Sequence, residues 1–266
     1  MSSLKITFQN IYHGMHFAGE VDKKDLFFKY WPSSYIEYYK ETQSDIFCLA
    51  EAPLDDEKGN STFLEAFSKA LNLQYYKVYV NDKSWIVEGK WYGTVIFSKF
   101  PFISYESFNL PNPKLEVDHA DGTHWIMHDK GAQKAQVEIG NTKINIFNLH
   151  YFPVHHFGKR IDDPELQPMR KSLAEILKPQ KNEVSIITGD FNNKKVEIEQ
   201  AFPEIFEGEQ IKRAISFNPN DYFEKKGDPT QIDHILYSTT RLKLLDSKVE
   251  KSYSDHVGLT ASFEID

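Results

Sequence analysis

The sequence predicts an α/β protein in which two packed β-sheets are flanked by helices. Three observations carry that expectation. Short apolar runs with strand spacing recur along the chain, few segments show helical spacing, and those few stand apart instead of alternating with the strands. A regularly alternating parallel sheet is thereby disfavoured.

Residues 4–9 read as the first strand, followed by a long polar and aromatic loop. A helix is predicted over residues 33–41. Residues 45–50 contain the unbroken apolar run Ile46-Phe47-Cys48-Leu49, the pattern of a strand buried on both faces. Phe63, Leu64, Phe67 and Leu71 recur at helical spacing, which predicts a helix over 61–71 with Ser61 or Asn60 as its cap. Strands follow at 74–80, 93–98, 102–109, 132–139 and 143–149, then a helix at 165–177 and a strand at 184–188. The last strands fall at 231–237, 243–249 and 259–263. No internal repeat or low-complexity linker interrupts the series, and Gly and Pro are scattered. The expectation is therefore one domain over residues 1–266.

A hydrophobic content of 40% in 266 residues suffices for a sizeable core, and 14% aromatics exclude disorder for the bulk of the chain. The net charge of −8 offers no global attraction for nucleic acid, although a cleft that holds a metal ion can invert the local sign. Cys48 is the only cysteine, so no intramolecular disulfide and no Cys-based zinc cluster can form. Its apolar setting marks a buried, inert thiol. The N-terminus carries no apolar leader and no stretch reaches membrane-span length, so the expected protein is a cytoplasmic monomer.

The informative residues are polar ones standing where apolar strands stop. Asn10 ends the first strand, Glu51 the second, and His150 the run 144–149. Gly189-Asp190-Phe191-Asn192 follows 184–188, Asp233-His234 interrupts 231–237, and Ser254-Asp255-His256 precedes the last strand. Taken singly, most have an ordinary explanation. Asn10 can close a turn, His150 can be a satisfied core histidine, and Gly-Asp-Phe-Asn can be a turn. Asp233 is harder to dismiss, because a strand flanked by Ile232, Ile235 and Leu236 needs a reason to hold an acid.

In chain order the set resembles the endonuclease/exonuclease/phosphatase superfamily, which includes DNase I, AP endonucleases, neutral sphingomyelinases and inositol polyphosphate 5-phosphatases. The resemblance runs through Phe8-Gln9-Asn10-Ile11, 46–51, 93–101, Asn148-Leu149-His150, Gly189-Asp190-Phe191-Asn192, Ile232-Asp233-His234-Ile235 and Ser254-Asp255-His256. It implies a four-layer α/β/β/α sandwich with two central, mostly antiparallel sheets and the site at one edge. It also implies a divalent-metal-dependent phosphoesterase using Mg²⁺, with Mn²⁺ as a substitute. Glu51 would be the principal metal ligand, helped by Asn10 and Asp255. Asp190 would orient or deprotonate the attacking water and Asn192 would hold water and phosphate in line. His256, oriented by Asp233 or by a neighbouring carboxylate, would contact the phosphoryl oxygens. His150 would be a second phosphate contact or a proton donor to the leaving group.

Two departures lower the expectation of abasic-site cleavage: Ile11-Tyr12 follow Asn10 where AP endonucleases carry an acid, and His150 stands where those enzymes carry Tyr. Val257-Gly258-Leu259 after Ser-Asp-His weakly resembles the tyrosyl-DNA phosphodiesterase branch.

Three segments beyond the core strands are candidates for a substrate rim. Residues 81–92 carry Trp85, Trp91 and Tyr92; residues 111–130 carry His119, His124, Trp125 and His128; residues 151–163 carry His155, His156, Lys159 and Arg160. Loop packing is the simpler reading of the first two. His155 and His156 follow His150 closely, and Arg160 suits an extra phosphate contact. Nucleic acid is the leading expected substrate, a small-molecule or lipid phosphate the alternative. A catalytically silent binding protein is the contrasting class, disfavoured by the completeness of the acid, Asn and His set.

Overall fold

Strand formation follows the apolar runs, and which face each residue serves follows the period of two. The computed structural model describes residues 2–18, 27–40, 42–120, 122–178, 183–207, 210–216, 231–250 and 252–266. In chain order the elements are β1 (Ser2–Asn10), β2 (Met15–Ala18), β3 (Phe27–Tyr30), α1 (Ser33–Tyr39), β4 (Ile46–Leu54), α2 (Thr62–Leu71), β5 (Tyr75–Lys83), β6 (Trp91–Ser98) and β7 (Phe102–Asn109). There follow β8 (Glu116–Asp118), β9 (His124–Ile126), β10 (Gly131–Ile139), β11 (Thr142–His150), α3 (Gln167–Leu177), β12 (Val184–Asp190), α4 (Ile198–Ala201), β13 (Ile211–Arg213), β14 (Asp233–Ser238), β15 (Leu242–Glu250) and β16 (Gly258–Ile265).

Two six-stranded sheets form the centre, in the orders β15-β16-β1-β4-β6-β5 and β13-β14-β12-β11-β10-β7. Each is antiparallel except for one internal pair, β1 with β4 and β11 with β12. The expected sandwich of two mostly antiparallel sheets is the observed one.

Strand β4 shows why its sequence is apolar throughout. Ile46, Cys48 and Ala50 enter the core between the sheets with Ile6, Phe8, Ile144, Ile146 and Ile186. Phe47 and Leu49 face the other way, onto Tyr35 and Tyr39 of α1 and Phe63, Leu64 and Phe67 of α2. On the far side, Leu173, Ala174 and Leu177 of α3 and Ile198 and Ala201 of α4 cover Phe147, Leu149, Ile187 and Leu236 of the second sheet. Three apolar layers thus separate four layers of structure.

Helix α2 starts where Ser61 accepts a hydrogen bond from the Leu64 N–H (3.2 Å) and donates to the Pro53 carbonyl (2.7 Å). It ends at Asn72 in a left-handed conformation (φ 55°). Of the two predicted caps, Ser61 and Asn60, Ser61 is the one observed. In α1 the predicted residue Glu41 lies outside the described residues, and helix α1 itself ends at Tyr39.

Three expectations need correction. The segment expected as loop after β1 pairs as the hairpin β2–β3, and residues 111–130 hold the short hairpin β8–β9. Strand β4 does not stop at Glu51 but runs on to Leu54 through a break in register between Leu49 and Ala52. That bulge sets Glu51 in a left-handed conformation (φ 53°), which costs a non-glycine residue about 1–2 kcal/mol.

Asn148, buried on β11, ties the sheets together directly. Its amide donates to the Leu49 carbonyl (2.9 Å) on β4 and the Val95 carbonyl (3.0 Å) on β6, and its oxygen accepts from Thr188 (3.2 Å). Asn148→Ala is expected to destabilise the protein by about 2–4 kcal/mol, because two buried carbonyls lose a donor at once. Urea denaturation measures this. A change within about 0.5 kcal/mol would show that the tie contributes nothing beyond an exposed side chain.

Candidate active site

Strand register alone brings most of the candidate residues together. In the parallel pair β1/β4, Asn10 lies beside Ala50, so Glu51 follows at the same edge. In the parallel pair β11/β12, His150 lies beside Asp190, and in the antiparallel pair β12/β14 Asp190 faces Asp233. Ends of parallel strands from the two sheets therefore meet at one rim, and the turn before β16 adds Ser254, Asp255 and His256.

Gly189 permits the approach. A Cβ there would meet the Leu149 carbonyl at 2.7 Å, so only glycine lets β11 and β12 run this close just before Asp190. Past Asp190 the chain turns through Asn192 in a left-handed conformation (φ 49°), with the Asn192 N–H donating to Asp190 Oδ1 (2.9 Å) and its side-chain amide to the Tyr151 carbonyl (3.0 Å).

Asn10 plays two parts. Its oxygen accepts from the Tyr12 N–H (3.0 Å), closing a turn, while its amide donates to Asp190 Oδ2 (3.0 Å) and, at 3.3 Å, to Glu51 Oε1. The turn-closing reading holds, and the amide also faces two of the carboxylates. His150 Nε2 stands 3.5 Å from Glu51 Oε1 and 3.8 Å from Asp190 Oδ2. His256 Nδ1 meets Asp233 Oδ2 at 2.7 Å, and its Nε2 points between Asp190 and Asp255, 3.9 Å from each.

Two further side chains enter the cluster that the sequence did not single out. His13, in a left-handed conformation (φ 55°), brings Nε2 to 3.2 Å from Glu51 Oε2, while its Nδ1 meets the Ser84 hydroxyl at 2.8 Å. Lys130, buried just before β10, places Nζ 3.1 Å from His150 Nδ1 and 5.0 Å from the Tyr92 ring centroid. His13 follows the Asn10 turn at a distance that carries no familiar pattern. Lys130 reads in sequence as a surface cation.

The electrostatics are those of charges taken from water and set against one another. Burial raises the Glu51 carboxyl, but His13, His150 and Lys130 outweigh it and hold the group well below the usual carboxylate range. Asp190 goes the other way: burial and the neighbouring Asp233 push it up to about 7, with His256 opposing. For His256, burial works against the charged form but Asp233, Asp255 and Asp190 overcome it, raising the imidazole to about 10. Burial, aided by Lys130, keeps His150 well below the ordinary imidazole range. Lys130 itself is lowered by burial to about 8, with Glu51, Asp190 and Asp82 opposing.

These residues suit a hard cation. Glu51 Oε2 is buried and makes no hydrogen bond, the His13 contact being misaligned for one. Four carboxylates (Glu51, Asp190, Asp233, Asp255) face this rim around Lys130 and the raised His256, an acid-rich setting that a divalent ion would relieve. Asp190, Asp233 and His256 also bring ligand atoms within 4.8 Å of one another. A protonated His256 bound to Asp233 is a donor rather than a ligand, and the atoms that face Glu51 are the nitrogens of Asn10, His13 and His150.

The rim candidates divide. Tyr92 is wholly buried, with Lys130 Nζ over its ring. Trp91 packs against the α1/α2 layer with Lys83 over its ring (5.6 Å). Arg160 forks onto Asp162 (2.9 Å to each oxygen) in solvent, and no hydrogen bond or ion pair among the described residues joins it to the acids. His155 and His156 lie in a short 3-10 turn, ring to ring at 4.2 Å, with His156 5.8 Å from Trp125. Of these contacts, those of Tyr92 reach the cluster, through Lys130 and through the His13 ring at 4.5 Å.

In the wild type His256 is expected to stay protonated from pH 6 to 8 and to lose its proton near pH 10. Asp233→Asn removes the largest partner, and the imidazole should then titrate at least ten times more easily, by about one pH unit or more. Nuclear magnetic resonance titration of the ring checks this. An unchanged midpoint would remove Asp233 from its role beside His256.

The family model for the Endonuclease/Exonuclease/phosphatase family matches residues 10–256. No curated protein matches the chain. Among solved structures, an endonuclease/exonuclease/phosphatase from Beutenbergia cavernae superposes with a TM-score of 0.72 at 14% identity, covering 100% of this chain and 72% of that one. The human Nocturnin catalytic domain, solved with a bound sulfate anion, gives 0.64 at 16%, covering 99% and 95%. The truncated Caenorhabditis elegans TDP2 gives 0.54 at 18%, covering 98% and 97%. At these identities the likeness is one of fold, whereas the family match spans the site from Asn10 to His256: the chain belongs to the Endonuclease/Exonuclease/phosphatase family of phosphoesterases.

Proposed function

We propose that residues 1–266 act as one catalytic domain, a divalent-metal-dependent phosphoesterase that hydrolyses phosphodiesters by in-line attack of water, with nucleic-acid esters the leading substrates. The observation that carries this reading is the meeting of Glu51, Asn10, Asp190, Asp233, His150 and His256 at one rim of two sheets.

Glu51, with Asn10 and Asp255 nearby in the set, would hold Mg²⁺ or Mn²⁺. The bound ion would supply charge neutralisation at the phosphate oxygens. Asp190, raised to about 7, is poised to take a proton from water near neutral pH. The backbone N–H of Asn192 fixes one Asp190 oxygen, leaving Oδ2 towards the other site groups. His256, kept charged by Asp233, donates from Nε2 to a phosphoryl oxygen as negative charge builds there. Lys130 adds a second positive charge beneath His150. His150, neutral in this setting, acts as a phosphate contact rather than as an acid.

Hydrolysis of an aryl phosphodiester and of nicked plasmid, assayed with Mg²⁺, Mn²⁺ and EDTA, tests the reading. Turnover is expected with either metal and not with EDTA. Asp190→Asn should lower kcat by about 10²–10⁴, the usual contribution of a positioned general base. Glu51→Gln should raise the Mg²⁺ concentration needed for half-activity by at least tenfold while leaving the protein folded. Full activity of Asp190→Asn, or turnover in EDTA, would overturn the assignment.

A further inference from the structure

We propose that Trp85 is the stacking platform for a nucleobase, so that the acid side of the scissile ester is a nucleotidyl group. This rests on the phosphoesterase reading and deepens it by naming the residue that selects a nucleotide ester.

Trp85 sits in the loop between β5 and β6 with 51% of its surface exposed. Exposure alone is ordinary for one residue; its position is what counts. The indole lies 4.4 Å from the His13 ring, and His13 in turn lies 3.2 Å from Glu51 Oε2. A single imidazole therefore separates the indole from the carboxylate that would seat the metal. Lys130 Nζ, the buried cation of the site, stands 5.7 Å from the same indole.

The platform is held rigidly. The Ser84 hydroxyl accepts from the Val87 N–H (2.9 Å), meets His13 Nδ1 (2.8 Å), and Ser84 N–H donates to the Lys90 carbonyl (2.9 Å), closing the loop on itself and onto the site. Tyr92 supports the indole edge-on at 5.0 Å and His128 lies beside it at 5.0 Å, tilted by 37°. His128 is fixed by Asp82 Oδ2 at 2.8 Å.

The surroundings select among flat and greasy ligands. An acyl chain would need a continuous apolar trough, whereas here the indole is bordered by the His13 and His128 imidazoles and the Lys130 ammonium group. That border suits a heteroaromatic ring with polar edges: stacking on the face and hydrogen bonds at the rim. The net charge of −8 favours a short nucleotide unit over a long duplex, which would require many basic phosphate contacts.

The test uses the full chain with Mg²⁺ and two diesters sharing one leaving group, the 4-nitrophenyl ester of thymidine 5′-phosphate and methyl 4-nitrophenyl phosphate. The ratio of their kcat/KM values is expected to fall about 10- to 100-fold in Trp85→Ala, the range of one base stack, and to recover largely in Trp85→Tyr. In a second readout, independent of turnover, the ¹⁵N-labelled protein is titrated with thymidine 5′-monophosphate or methyl phosphate. The indole N–H resonance missing from Trp85→Phe should shift with the nucleotide and not with methyl phosphate. An unchanged ratio in Trp85→Ala, or an indole resonance that ignores the nucleotide, overturns the proposal. Turnover of both esters with an unchanged ratio would spare the phosphoesterase reading and remove the platform. A shifted indole with no turnover of either ester would do the reverse. Repeating the titration with single-stranded oligothymidylate separates the two sources: tighter binding than the mononucleotide assigns a strand, equal binding a free nucleotide.

Discussion

The constraint on which this structure depends is the burial of carboxylates at the rim where two sheets meet. Glu51, Asp190 and Asp233 are all buried. Unpaired, each would cost several kcal/mol. None is unpaired. Glu51 is set against His13, His150 and Lys130, and Asp233 is closed onto His256. Asp190 is the residue left with the least compensation, and its carboxyl rises accordingly. The proposed metal-binding and proton-accepting roles draw on that imbalance, since the group least content to be charged is the one that can take a proton and gains most from a nearby cation.

The scaffold supplies the positions through register rather than through loops. One parallel pair in each otherwise antiparallel sheet brings neighbouring strand ends out on the same side, and Asn148 fixes how the sheets face each other. Strain gathers at the same edge. Glu51, His13 and Asn192 all adopt left-handed backbone conformations without being glycine. Such conformations persist where surrounding packing over-determines them, and they cluster at functional sites.

Much of this was legible in the sequence, for physical reasons that can be named. Asp233 stood out because an acid between Ile232 and Ile235 violates the pattern of a core strand, and Ser61 because a capping residue precedes a helical apolar period. The ordered Asn10, Glu51, Asp190 and His256 motifs gave the sandwich. What stayed hidden depends on three-dimensional neighbours. The bulge at Glu51 leaves no mark on local composition, since Ala50, Ala52 and Leu54 continue the apolar run. Lys130 becomes a site residue only because β10 lies beside β11, which ends in His150. Arg160 looked free in one dimension but has Asp162 two residues away as its partner. Of the three aromatics in the segment ending at Tyr92, the two in β6 belong to the packing, and Trp85, in the loop after β5, is the exposed one.

The most direct measurement is the pH dependence of stability of the metal-free wild type against Asp190→Asn. A carboxyl raised from 3.8 to about 7 binds more protons in the folded than in the unfolded state across that window, so its contribution to stability falls as pH rises through it. In EDTA, the wild-type melting temperature should therefore drop relative to Asp190→Asn between pH 4 and pH 8, and Mg²⁺ at pH 8 should restore it. A difference that is flat with pH, or one that grows in favour of the wild type, would contradict a surplus of buried negative charge at this rim.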